Sequence, residues 1–317
     1  MESSLSIDRV SAAAQFLNER IRRTPVEFSA ALSERMGQPV WLKLECLQLT
    51  GSFKIRGAWW RLHQASAEER RAGVATCSAG NHGKGIAYAS RQEKIPAAIF
   101  VPSGIDEAKY HGMVALGADV RRSAYPGYDD TEAWAREEAA RLGMPFISAF
   151  DDYDVMAGNG GTLALECLEQ APDASTFLVP VGGGGLSAGF AFVADGKRVI
   201  GCQHERSPAF RMSLDQGRAV TTLPVVETVA GGIEGGIGSL TFEVLNSRIR
   251  EVALLSEEEI IHATRWMAAE HQYWIEPTAA VTLAACLSGK VHVDGPTVIV
   301  ISGRNVSLET ALRILSP

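Results

Sequence analysis

A chain of 317 residues exceeds what one small core needs and suits two domains. Hydrophobic residues at 46% and charged residues at 21% give an ordinary soluble globular composition, and a net charge of −7 argues against nucleic acid or an anionic membrane as the main partner. No run of about 20 apolar residues spans a membrane, and the N-terminus lacks the basic-then-apolar order of a secretion signal.

In chain order, Val10, Ala13, Ala14, Leu17 and Ile21 recur at helical spacing, which predicts a helix over residues 8–21 with Asp8 as its cap. A second helix is expected from Ala30 to Met36. The apolar run Val40 to Leu44 reads as a strand, and it leads to Gly51-Ser52-Phe53-Lys54-Ile55-Arg56-Gly57. A lysine among aromatic and aliphatic neighbours loses charge on desolvation, and a neutral amine is what a Schiff base needs. From these residues alone, Lys54 reads better as the start of an ordinary amphipathic helix with a solvated ammonium.

From residue 73 strand and helix alternate. Strands are expected at 74–77, 97–101, 119–121 and 145–148, with helices at 81–91, 106–116 and 131–142. The alternation resumes with a helix over 156–169, strands at 176–181 and 198–203, and a helix at 186–193. Residues 204–240 read as irregular. A strand at 251–255, a helix opened by the Ser256 and Glu259 capping box, a helix opened by Pro277 and a last strand at 297–301 complete the pattern. The expected fold is α/β, with two domains that each hold a mostly parallel open sheet flanked by helices. Residues 1–64 and 151–317 form the large domain and 65–150 the small one. Five cysteines, Cys46, Cys77, Cys167, Cys202 and Cys286, stand far apart and without metal spacing, which points to free thiols in a reducing cytoplasm.

Three turns carry chemistry. Ser78-Ala79-Gly80-Asn81-His82-Gly83 joins a strand to a helix, and its amides suit a carboxylate; a plain turn capped by Asn81 explains it as well. Gly182-Gly183-Gly184-Gly185-Leu186-Ser187 spends backbone entropy on four glycines, which a closely approaching phosphate explains better than a tight turn does. No lysine follows to make it a GxxxxGK[ST] loop. Ser302-Gly303-Arg304-Asn305 lies at the carboxyl end of the final strand, where ligands collect in open α/β sheets. A lysine, a carboxylate turn, a phosphate turn and a strand-end serine together fit one molecule, pyridoxal 5′-phosphate.

With these motifs in hand the chain resembles the fold-type II pyridoxal-phosphate enzymes of the threonine/serine dehydratase and serine racemase branch. GSFKIRGA, SAGNHG, VGGGGLSAG, IEPTAA and SGRN occur in that family's order from about Thr24 to Asn305. The resemblance implies that Lys54 is the Schiff-base lysine and that Phe53 lies against the ring. It implies that Asn81 meets the cofactor's phenolic oxygen, that Gly182, Gly183, Gly184, Gly185 and Leu186 hold the phosphate, and that Ser302 meets the pyridine nitrogen. Gly232 and Glu276 match positions near the ring, and Ser78, Ala79, Gly80, Asn81 and His82 match the loop that takes the substrate carboxylate. A homodimer is implied as well.

The resemblance further implies elimination of water from a β-hydroxy L-amino acid, with Lys54 as the base and a 2-keto acid and ammonia as products. Racemase and β-replacement activities share the fold. Against the second, the loop reads AGNHG rather than SGNTG; against the first, Ala79 stands where racemases have a serine acid. A nucleotide-holding module leaves Lys54 and Ser302 unexplained. The sequence does not choose among threonine, serine, 3-hydroxyaspartate, phenylserine and a hydroxyectoine-pathway intermediate. Three departures stand out: SGRN for SGGN, AGNGGT for AGQGT at residues 157–162, and Gln203 where a metal-binding segment usually begins with an acid, so that no metal is expected. The acidic run Asp151-Asp152-Tyr153-Asp154 reads as a solvated turn or as part of the site mouth. The chain ends twelve residues past Asn305, where feedback-regulated relatives carry a further domain, so no inhibition by isoleucine is expected.

Overall fold

A computed structural model describes residues 4–316. Among these, nine strands are formed: β1 (Val26–Phe28), β2 (Val40–Leu44), β3 (Val74–Cys77), β4 (Ala97–Val101), β5 (Asp119–Arg122), β6 (Thr176–Pro180), β7 (Arg198–His204), β8 (Glu251–Leu255) and β9 (Thr297–Ile301). One sheet has the order β1-β2-β9-β6-β7-β8 and the other β3-β4-β5. All pairs are parallel except β1 with β2.

The central strands β9 and β6 are buried throughout and mostly apolar because helices cover both faces of the larger sheet. In β9, Val298 and Val300 join one core while Ile299 and Ile301 join the other. The twofold alternation of side chains thus feeds two separate layers. β9 comes last in the chain yet lies between β2 and β6, in register at Leu42↔Ile299 and Leu178↔Ile299. This places the carboxyl ends of β9 and β6 side by side, with β2 leading toward Lys54 on the other flank.

Several boundaries differ from expectation. Ser6, not Asp8, caps the first helix (Ile7–Leu17) by accepting the Arg9 N–H at 3.2 Å. That helix closes early because the Arg20 and Ile21 amides both turn back to the Leu17 carbonyl. The expected strand at 145–148 is a single rung, Ala75↔Phe146, since Ser148 already turns to accept the Asp151 N–H at 3.0 Å. The helix expected over 156–169 is interrupted: Tyr153–Met156 and Thr162–Gln170 are α-helical, and Ala157–Gly161 between them is a π-helical turn. Residues 204–240 contain the helix Ala209–Gln216, and Leu308–Leu315 forms a C-terminal helix that the sequence pattern does not announce. The Ser256 and Glu259 capping box is present with both its hydrogen bonds.

Beside the start of the Lys54 helix lies a buried ion network. Arg56 donates to both oxygens of Glu45 at 2.8 Å and to both oxygens of Glu166 at 2.8 and 2.9 Å. Lys43 donates to Glu166 at 2.6 Å, to the Thr24 carbonyl at 2.9 Å and to Gln170 at 2.8 Å. Two cations face two carboxylates, so the charge is locally balanced. Removal of one member would strand a buried charge at a cost of about 3–5 kcal/mol.

Candidate active site

The lysine segment is fastened to the end of β9. Phe53 N–H donates to the Ser302 carbonyl at 3.2 Å, Arg304 N–H donates to Gly51 at 2.8 Å, and Ser52 pairs antiparallel with Gly303. Gly51 has φ +81°, and a Cβ there would stand 2.7 Å from the Asn305 carboxamide, so only glycine fits. Lys54 opens the helix Lys54–His63, and its amine donates to the Ala149 carbonyl at 2.8 Å. Desolvation lowers the Lys54 pKa to about 8, against the opposing pull of the Glu276 charge.

The turn after β3 is organised by amide side chains. Gly80, not Asn81, occupies the cap position of the helix Asn81–Glu93. The Asn81 carboxamide donates to Glu276 at 2.7 Å and accepts from Asn305 at 2.6 Å. Asn305 also donates to the Thr50 carbonyl at 2.8 Å and accepts from Lys84 at 3.0 Å. Burial pushes Glu276 up to about 7, in spite of the Asn81 hydrogen bond and the charges of Lys109, Lys54 and Lys84. Ser78 accepts the Gly80 N–H at 3.3 Å. His82 is buried with neither ring nitrogen hydrogen-bonded, and burial beside Lys54 keeps it neutral.

The turn after β6 presents free donors. From Gly182 to Leu186 no amide N–H meets a protein acceptor among the described residues, and the helix Gly185–Val193 begins within this run. The glycines are needed for packing. A Cβ on Gly182 would stand 2.6 Å from the Gly232 carbonyl, one on Gly183 would overlap the Phe150 ring, and one on Gly185 would stand 2.8 Å from the Phe150 backbone. Gly184 has φ +95° with Thr241 against it. Gly232 is held by its N–H to Thr278 at 3.0 Å. Backbone crowding on the Cα side leaves the amide edges as the open side, which is the donor set for a phosphate at a helix N-terminus.

These segments form one closed circuit. Lys54 meets Ala149, and the next residue, Phe150, packs on the glycine turn. Asn81 meets Glu276, Glu276 N–H meets Gly303 at 3.2 Å, and Ser302 next to it meets Phe53. The Ser302 side chain is buried at the strand end. A desolvated amine, a run of unpaired amides, a strand-end hydroxyl and an unpartnered imidazole fit a phosphorylated pyridine aldehyde.

The acidic run serves the scaffold instead. Asp151 accepts the Thr241 N–H at 3.0 Å, Asp152 caps its own helix and pairs with Arg61, and Asp154 pairs with Arg9 at 2.7 Å. Gln203 donates to the Val181 carbonyl at 3.3 Å and accepts the Arg211 N–H at 3.1 Å. Sequence reasoning does not assign Ala149, Phe150, Asn159, Asn305 or Lys84 to the site. Only the extra residue in AGNGGT and the ending of SGRN hint at two of them.

A sequence model of the family described as pyridoxal-phosphate dependent enzyme matches residues 17–303. The L-threonine ammonia-lyase of Geobacter sulfurreducens is 36% identical over 309 residues, covering 95% of this chain and 76% of that protein. The L-threonine dehydratase catabolic TdcB of Escherichia coli is 34% identical over 318 residues, covering 98% of this chain and 96% of that protein. The structure of maize serine racemase superposes with a TM-score of 0.92 at 29% identity, covering 98% of this chain and 96% of that one.

Proposed function

The chain belongs to the pyridoxal-phosphate dependent enzyme family, and on that premise we propose that it eliminates water from a β-hydroxy L-amino acid of the threonine or serine type. The products are a 2-keto acid and ammonia. The observation that carries this reading is the Lys54 amine, whose pKa falls to about 8 at the point where the ends of β9 and β6 meet the turn after β3.

Bound pyridoxal 5′-phosphate supplies an electron-withdrawing ring that accepts the charge left when an α-proton departs. The amides of Gly182, Gly183, Gly184, Gly185 and Leu186 would hold its phosphate, with Phe53, Gly232 and Glu276 near the ring. Ser302 would offer the pyridine nitrogen a neutral hydroxyl partner. Ser78, Ala79, Gly80, Asn81 and His82 receive the substrate carboxylate, with Asn81 fixed from both sides by Glu276 and Asn305. The Lys54 amine would hold the cofactor and, in its neutral form, would serve as the general base for the substrate α-proton. A lysine already partly neutral near pH 8 suits both tasks.

Residues 1–64 and 151–317 make up the large cofactor domain in this reading, and residues 65–150 the small domain with the asparagine turn. The protein is read as a cytoplasmic homodimer.

The test is a panel of L-threonine, L-serine, L-3-hydroxyaspartate and L-phenylserine given to the cofactor-loaded protein. Keto acid and ammonia should appear in equal amounts from at least one of them. Lys54→Ala should lose both turnover and the absorbance of lysine-bound cofactor. Unchanged turnover in that variant, or no keto acid from any substrate, would end the proposal.

A further inference from the structure

The π-helical turn Ala157–Gly161 packs against two helices at once, the one opened by Lys54 and the one that follows the glycine turn. On the first side, Gly57 N–H donates to the Asn159 side-chain oxygen at 2.8 Å. Phe53, at the cap position of the Lys54 helix, makes no side-chain cap hydrogen bond. The Phe53 carbonyl, the regular helical acceptor for the Gly57 amide, takes the Arg56 N–H at 3.0 Å instead, and Asn159, 102 residues further on, supplies the acceptor for Gly57. Gly158 lies so close that a Cβ on it would stand 2.6 Å from the Gly57 Cα. The Thr162 hydroxyl, just after the π-turn, accepts from Arg56 at 3.2 Å.

On the second side, a Cβ on Gly160 would overlap the Leu186 carbonyl, and a Cβ on Gly189 would overlap the Met156 carbonyl. Leu186 closes the glycine turn. The π-turn therefore separates the helix that carries the amine from the helix that carries the anion-binding amides, with backbone contact on both sides. One residue beyond a regular helix makes this bulge, and such bulges recur at functional sites. The Asn159 side-chain nitrogen is buried without a partner. An orphaned donor of this kind is tolerated where the oxygen's position matters.

We propose that Asn159 is a positioning residue, and that the π-turn around it sets the distance between the Lys54 amine and the phosphate cradle. The proposal rests on the reading that Lys54 and the glycine turn hold opposite ends of one cofactor. The hydrogen bond of Asn159 goes to Gly57, not to Lys54 or the glycine turn. Asn159 acts through the Gly57 amide on the helix that aims Lys54.

The test compares two probes on the apoprotein: pyridoxal 5′-phosphate, which needs both ends, and inorganic phosphate, which needs only the cradle. In Asn159→Ala the dissociation constant for pyridoxal phosphate should rise about tenfold or more, while that for inorganic phosphate stays within about twofold. Hydrogen exchange at the Gly57 amide should accelerate in the same variant. A longer side chain should compensate for a shorter backbone. Asn159→Gln and deletion of Gly160 should each weaken pyridoxal phosphate binding, and the two together should restore most of it. Equal loss of both probes in Asn159→Ala would mean general disruption and overturn the proposal, as would unchanged binding of both. If Asn159→Ala does not fold, the variant that combines Asn159→Gln with the deletion decides: failure to outdo the deletion alone counts against the proposal. If the unmodified protein shows no absorbance from lysine-bound cofactor, the underlying reading fails first, whatever the variants do.

Discussion

The turn after β6 and the turn after β3 both carry a parallel strand into a helix through glycine, yet their surroundings differ. The glycines of the first are packed where a side chain would go, by Gly232, Phe150 and Thr241. Gly80 in the second has open space where a side chain would go, and its φ of −123° is one that any residue adopts. Side chains hold the second turn instead, with Asn81 between Glu276 and Asn305. Backbone packing gives a cradle that cannot change shape, which suits a cofactor that stays. Side-chain hydrogen bonds give a turn that can adjust, which suits a substrate that comes and goes.

Glycine substitution breaks this comparison most sharply. Gly182→Ala drives a methyl toward the Gly232 carbonyl, a backbone atom that cannot swing aside. Overpacking of about 1–3 kcal/mol is expected, which lowers pyridoxal phosphate affinity by about 10- to 100-fold. Gly80→Ala meets nothing, and cofactor affinity should stay within about threefold. Equilibrium titration of the two apoproteins decides the matter. A loss in Gly80→Ala as large as that in Gly182→Ala would erase the distinction.

The second contrast is pH. Among the described residues, the atoms nearest a Cβ on Gly182 to Gly185 belong to Gly232, Ile233, Phe150, Thr241 and Ile237, whereas the asparagine turn rests on Glu276. Glu276 stays protonated in the folded protein to about pH 7, although its ordinary value is 4.5. Between those values the folded state holds the extra proton, so this group's stability contribution is complete below the lower value and is lost as pH rises through the upper one. Glu276→Gln should leave stability unchanged near pH 4 and raise it at pH 8. The gain should be about 2 kcal/mol once the group's remaining contact with solvent is allowed for. Denaturant melts of the apoprotein at the two pH values measure this, and a gain at both would contradict it. Lys54 has the opposite sign. With its pKa near 8, uptake of pyridoxal phosphate should quicken about tenfold from pH 7 to pH 9 and then level off, as followed by stopped-flow absorbance.

Local pattern accounts for what can be read from the chain. The capping box at Ser256 needs only four residues, and the apolar strands β6 and β9 declare themselves by composition. The two glycine turns are also legible, but for a partial reason: the run of glycines signals close approach, while the atoms that approach are largely protein atoms. What escapes a sequence reading depends on distant chain meeting distant chain. Asn159 to Gly57 and Phe150 to Gly183 are contacts that no window of sequence contains. The extra residue in AGNGGT is visible, but whether it loops out or widens the helix is decided by the two helices packed against it. β1 has only three residues, too few for a pattern to stand out.

The smallest expected effect lies on the adjustable side of the comparison, at Ala79. This residue is partly buried against the core and immediately precedes the open Gly80. Its methyl group can neither give nor take a proton. With Lys54 as the base on one face of the substrate, the α-proton returns only to the face it left. The unmodified protein should therefore release keto acid from L-serine with no measurable D-serine. In the reading proposed above, Ala79→Ser adds a hydroxyl on the substrate face away from Lys54, next to the open Gly80. Keto-acid release should change by no more than about twofold, and D-serine should appear at on the order of a few per cent of the elimination rate. Chiral chromatography of the serine recovered during turnover reads both quantities. D-serine formed by the unmodified protein as fast as pyruvate would show that a different group serves the second face. The first to replace would then be His82, whose buried imidazole has no protein partner on either nitrogen.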